Sequence, residues 1–270
     1  MPGHSLRTAP PALADFLRGT VCELRDELGE RLVAVVLHGS LAMGAFYPPK
    51  SDLDLLVLAT DLGGDARIRL WRLLERRHRV RPFAAGLEVS AIRAADAAAP
   101  RHPLPYLAHF SETTSSPDLV SGPLPSDPDL IAHLAVARQR GVSLFGPPPG
   151  ELIGPVARAD YLAAVRCDID WLLEGEAILQ SPRYGVLNLC RWAMLSAGAK
   201  PDPPGKEEAA LWALENAPPA HHALIAQALA AQRSDAPVGP GEDLRLVGGP
   251  WGAPALLAFR DWTRRLPPPI

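Results

Sequence analysis

Cysteine is scarce in this chain: Cys22, Cys167 and Cys190 are all there is in 270 residues. The number is odd and no two are spaced as a CxxC pair. That argues against a disulfide framework and against a zinc site, and it fits a reducing cytoplasm. No apolar run approaches the roughly 20 residues of a membrane span, and no early stretch joins a basic segment to an apolar one as a secretory leader does. Positive charge is also in short supply. Lys and Arg number 27 against 30 Asp and Glu, a formal net charge of −3, which argues against broad nucleic-acid binding. What remains is an ordinary globular composition, 47% hydrophobic and 21% charged, in a chain long enough to bury a core without covalent staples.

Periodicity divides the chain in two. Leu13, Phe16, Leu17, Val21, Leu24 and Leu28 recur at helical spacing. "LVAVVLH" from Leu32 and "LDLLVLA" from Leu53 read as buried strands, "DARIRLWRLLERRHRV" from Asp65 as an amphipathic helix with a basic outer face, and "LEVSAI" from Leu87 as a third strand. Helix, strand, strand, helix, strand is the order of a small α/β or α+β domain. The Pro-, Ser- and Thr-rich stretch from Ala99 to Asp129 reads as irregular surface structure. Asp127 is expected to cap a following helix with Pro128 at its first position, and "GVSLFGPPPG" to form a short strand and a proline stop. Beyond Ala157 strand signals vanish, and helices are expected near 160–179, 183–197, 206–216, 220–232 and 254–266. The expected domains are 1–156 and a helical bundle over 157–270, with no internal repeat.

The chemistry is concentrated in "HGSLAMGAFYPPKSDLDLLV", residues 38–57. Side chains alternate along a strand, so Asp52 and Asp54 point the same way. Two neighbouring carboxylates on one face repel unless a cation sits between them, and Mg²⁺, an oxygen-loving ion usually shared with phosphates, is the natural choice. Gly39 lets the backbone approach a phosphate, and Ser40 and Ser51 can donate to its oxygens. Glu88, on the third strand, can complete the metal site or accept a proton from an attacking hydroxyl. The plainer alternative is a solvated loop followed by an acid-decorated strand, but "LDLLVLA" is too apolar for an exposed edge.

A Gly-Ser pair, about a dozen residues, D-x-D and a later strand acid together resemble the nucleotidyltransferase superfamily related to DNA polymerase β. "RQRGVSLFGPPPGELIGPV", "YGVLNLCRWAMLSAGAK" and "GKEEAALWALENAPP" resemble the aminoglycoside adenylyltransferases that modify streptomycin and spectinomycin. The resemblance implies an α+β fold: an N-terminal polymerase-β-like nucleotidyltransferase domain with a mixed sheet, and a C-terminal all-α bundle. It also implies metal-binding aspartates at Asp52 and Asp54, a catalytic base at Glu88, and phosphate-loop residues at Gly39, Ser40 and Ser51. Arg191 and Lys206 fall on basic residues that reach the triphosphate. Where the family stacks a tryptophan on the antibiotic, this chain has Thr113 beside Glu112. For the acceptor it otherwise offers Asp168, Asp170, Trp171, Glu174 and Glu176.

The expected activity is Mg²⁺-dependent transfer of AMP from ATP to a hydroxyl of an aminoglycoside or aminocyclitol, with streptomycin favoured because its guanidinium groups suit those acids. A non-antibiotic acceptor is the alternative, and a non-catalytic nucleotide-binding protein a third. The expected enzyme is a cytoplasmic monomer without nucleic-acid or membrane partners.

Overall fold

The structure is a computed structural model that describes residues 3–111, 124–234 and 252–269. Its backbone contacts divide it into two compact units, residues 3–164 and residues 165–270.

The first unit is built on a mixed sheet. Helix α1 (Pro11–Leu28) leads into β1 (Leu32–Leu37), a four-residue turn of helix α2 (Gly39–Ala42) and β2 (Leu53–Ala59). Helix α3 (Gly64–Arg79) crosses to β3 (Leu87–Arg93), which runs straight into α4 (Ala94–Ala98). Then come β4 (Leu104–Pro105), β5 (Ala108–Phe110), β6 (Ser126–Asp127), α5 (Leu130–Arg140), β7 (Val142–Phe145) and α6 (Pro149–Leu152). Five strands pair in the order β5-β3-β2-β1-β7, and β4 and β6 form a separate two-stranded ladder. Among the described strands only β2 and β3 are parallel, joined by the α3 crossover that parallel neighbours require.

β2 is central and apolar on both faces because both are covered. Leu53, Leu55 and Val57 pack with Leu24 and Leu28 of α1 and Leu70 and Leu74 of α3. Leu56 and Leu58, pointing the other way, are equally buried. The exception on that second face is Asp54, only partly covered at the strand's start. A polar residue at the mouth of so apolar a strand is costly to desolvate unless it has work to do.

Several sequence expectations are met to within a residue or two, among them β1, β2, β3 and β7. Others are corrected. The stretch expected to be irregular contains β5, which pairs with β3 through Val89 and Phe110. Asp127 does not cap α5. The helix begins at Leu130, and the Asp127 carboxylate instead accepts the Asp129 N–H at 2.8 Å. The basic residues of α3 do not all face outward. Arg67 is buried and donates to the Leu107 carbonyl. Arg77 folds back on α1, donating to the Phe16 carbonyl, Thr20 and Glu23.

The second unit is helical. It takes up α7 (Arg158–Leu173) from Val165 onward and continues with α8 (Ala177–Gln180), α9 (Pro182–Ser196), α10 (Lys206–Asn216), α11 (His222–Arg233) and α12 (Ala253–Arg264). Helix α9 is its axis: Val186, Leu187, Leu189, Cys190 and Met194 are buried against Ala210 and Ala213 of α10, Ile225 and Ala228 of α11, and Phe259 of α12. The single helix expected over 160–179 is broken at Gly175, whose φ of 47° lies where only glycine is at ease. None of the three cysteines forms a disulfide, and among the described residues no helix is long and apolar enough to cross a membrane.

Candidate active site

The ends of β1, β2 and β3 set the geometry. The parallel register pairs Asp54 directly with Glu88, so carboxylates 34 positions apart in sequence stand side by side. The antiparallel β1 brings the chain past Asp54 on the other side, where the His38 N–H donates to the Asp54 carbonyl at 3.1 Å. The chain then turns at Gly39, with φ of 63°. A Cβ added there would lie 1.8 Å from the Asp54 Oδ2. Glycine is therefore demanded twice at position 39, by its backbone angle and by the carboxylate that fills the space of a side chain.

We expect Gly39→Ala to fold with a lowered thermal midpoint and to lose about 10²-fold in rate. A left-handed alanine costs roughly 1–2 kcal/mol, and an ångström-scale displacement of a reacting group can cost about 10²-fold. Wild-type kinetics in this variant would mean that the Asp54 carboxylate does not need its place against the turn.

Ser40 follows in the turn. Its Oγ is enclosed and has no hydrogen-bond partner among the described residues, which is unusual for a buried polar atom. Ser51 is differently engaged: its Oγ accepts the Tyr47 N–H at 3.0 Å and closes the turn before β2. Asp52 precedes β2 and is exposed, and its Oδ1 accepts the Gly86 N–H at 2.7 Å, tying it to the entry of β3. A cavity of about 350 Å³ opens here, lined by Asp52, Glu88, His109, Asp127, Asp129 and His133 among others.

His133 and His38 are the residues that sequence reasoning passed over. His133 on α5 has its Nε2 3.2 Å from Asp129 Oδ2 and its Nδ1 3.7 Å from Glu88 Oε1. The His38 ring lies 5.3 Å from it, centre to centre. Burial works against charge on His133, but the hydrogen bond to Asp129 and the negative charges of Glu88, Asp129 and Asp54 prevail and raise its pKa to about 10. His38 goes the opposite way: burial first, and then the charge of His133, lower its pKa to about 3. One imidazole is cationic at neutral pH and the other neutral. Among the described residues, no three His, Cys, Asp or Glu side chains converge into a ready-made metal cage.

In the helical unit the proposed site residues separate. Arg191 on α9 donates to the Pro204 carbonyl and to Asn188 Oδ1, both at 3.1 Å. Lys206, the first residue of α10, holds its ammonium 4.6 Å from the centre of the Tyr184 ring. The Tyr184 hydroxyl in turn donates to Asp168. Asp170 pairs with Arg166 and shares an open groove with Glu174. Trp171 is 43% exposed and lies outside that groove, and Glu176 precedes α8. Glu112 and Thr113 lie outside the described residues.

A mixed sheet that sets a glycine-serine turn against strand carboxylates is the arrangement expected of a nucleotidyltransferase. Residues 151–247 match the C-terminal domain of the aminoglycoside adenylyltransferases, and the chain is an adenylyltransferase related to them. Curated relatives include spectinomycin 9-adenylyltransferases from Staphylococcus aureus strains Mu50 and N315, each 29% identical over 216 residues, 75% of this chain and 78% of theirs. The fold is that of the spectinomycin adenyltransferase AAD(9) from Enterococcus faecialis, whose crystal structure holds ATP and spectinomycin. It matches with a TM-score of 0.68 at 18% identity, over 92% of this chain and 98% of that one.

Proposed function

We propose that this chain transfers AMP from ATP to a hydroxyl of spectinomycin, using Mg²⁺. The observation that carries the reading is the pairing of Asp54 with Glu88 beside the Gly39-Ser40 turn, in a chain whose curated relatives are spectinomycin 9-adenylyltransferases.

The donor set suits magnesium. That ion keeps several waters and takes one or two carboxylates plus substrate phosphates, not an all-protein cage. Asp52 and Asp54, one residue apart at the entry of β2, would supply them, and Glu88 stands beside Asp54 as the proton acceptor. Bound Mg²⁺ would neutralise charge on the transferring group and the leaving pyrophosphate.

The chain's own residues do the rest. Ser40 offers its partnerless hydroxyl to a phosphate oxygen, and Gly39 keeps the turn close enough for it to arrive. Glu88 takes the proton of the acceptor hydroxyl. The freed oxygen bonds to the α-phosphorus, and the bond from that phosphorus to pyrophosphate breaks. The triphosphate roles of Arg191 and Lys206 rest on the resemblance, as does that of Ser51. The reading places the enzyme in the cytoplasm with its ATP, as a monomer. The net charge of −3 supports the exclusion of nucleic acid as acceptor.

Streptomycin is the second reading, favoured by the acids of α7 and its C-terminal end. Two of them are already committed, Asp168 to Tyr184 and Asp170 to Arg166. Glu174 and Glu176 remain as exposed acids, too little to prefer a polycation over the relatives' drug. The experiment is pyrophosphate release with Mg-ATP in the presence of each drug. Turnover with spectinomycin should exceed that with streptomycin by at least about 10-fold, within the range that pocket contacts alone can discriminate. The reverse order would restore streptomycin, and release with neither would assign the site to another small hydroxylated acceptor.

A further inference from the structure

Glu88 must be aimed as well as present, and a carboxylate on three rotatable bonds is poorly aimed by its backbone alone. Its Oε1 faces His133, from a helix 45 positions further along the chain, at 3.7 Å from Nδ1. That ring is itself fixed. Asp129, the residue just before α5 and four positions earlier, engages Nε2 at 3.2 Å. The His38 ring packs against it at 5.3 Å and 53°. This leaves Nδ1, an enclosed nitrogen without a hydrogen-bond partner, 3.7 Å from Glu88 Oε1. His38 also immediately precedes the Gly39-Ser40 turn, so the ring that faces Glu88 is packed on the residue that leads into the turn.

We propose that His133 is a positioning residue for the transfer reaction, held by Asp129 and packed on His38 so that it fixes the rotamer of Glu88. A lone histidine on the inner side of an apolar helix is ordinarily core. Here leucine would fill the volume without offering a donor, and the three contacts just described give the imidazole an orientation that packing does not require. This rests on the reading of Glu88 as the proton acceptor. The effect belongs in the chemical step, because what His133 orients is the proton acceptor, and nucleotide affinity is expected to hold.

The test is a double-mutant cycle in which rates with Mg-ATP and acceptor, ATP affinity and thermal midpoint are all measured. His133→Leu should lower kcat by about 10- to 100-fold, the usual cost of losing an orienting partner, with KM for ATP unchanged. His133→Gln, which keeps an N–H donor, should recover part of the loss and also covers the case in which the leucine variant folds poorly. In a Glu88→Gln background His133→Leu should cost almost nothing further, because the group it aims is gone. Full activity in both His133 variants would overturn the proposal. So would an undiminished loss in the Glu88→Gln background, since His133 would then act on something else. Wild-type turnover in Glu88→Gln alone would instead overturn the assignment of Glu88, a distinct result.

Discussion

Asp54→Asn should leave a folded protein whose turnover with Mg-ATP falls by at least about 10³-fold, since a metal that neutralises transition-state charge contributes several kcal/mol and each 1.36 kcal/mol is tenfold in rate. Asparagine matches aspartate in shape, so the fit against Gly39 and the strand pairing with Glu88 survive. What changes is one negative charge beside another. Its removal relieves repulsion with Glu88 and weakens the attraction to His133. These oppose each other, and the thermal midpoint should stay within about 3 °C of wild type, which corresponds to about 1 kcal/mol in a domain of this size. Asp52→Asn is the milder companion, because its Oδ1 can still accept the Gly86 N–H. Mg²⁺-dependent turnover near wild type in Asp54→Asn would take the metal away from β2.

For Glu88→Gln the expected result is a rate lower by about 10²- to 10⁴-fold, the typical contribution of a general base, with Mg-ATP binding intact by calorimetry. The amide cannot accept the acceptor's proton, yet it keeps the volume and one carbonyl oxygen. Rate and affinity therefore separate the two roles that Glu88 can play. If ATP affinity collapsed together with the rate, Glu88 would be chiefly a metal ligand. If neither moved, it would be neither ligand nor base.

The readability of this molecule follows the range of the interactions involved. β1 and β2 are legible as short apolar runs, the second broken only by Asp54, and β3 by the alternation of "LEVSAI". The Gly-Ser turn and Asp54 were legible because their chemistry is local. β5 was not, since three residues carry no periodicity and its strand state comes from pairing with β3 about 20 positions earlier. The break at Gly175 is signalled only by the glycine itself, between two acids, a weak mark inside a helical pattern. Arg67 looked like surface because charge in an amphipathic helix ordinarily is. Its burial depends on the Leu107 carbonyl, 40 positions away. His133 was invisible for the same reason: nothing in "LIAHLAVARQR" says that α5 will lay its fourth residue beside Glu88.

Because hydrogen-bonded register, not chain spacing, places Glu88 next to Asp54, the intervening 33 residues have no metric duty toward the catalytic pair. The crossover behaves like an adjustable tether whose two ends are clamped. Extra residues spliced between Gly63 and Gly64, where an added Cβ at Gly63 meets nothing within 4 Å, lengthen that tether at a cost that grows only logarithmically, about 0.6 kcal/mol per doubling of a flexible loop. A search for such enzymes by fixed distance between the D-x-D and the third acid would therefore pass over members whose crossovers differ in length. A search by strand identity would not.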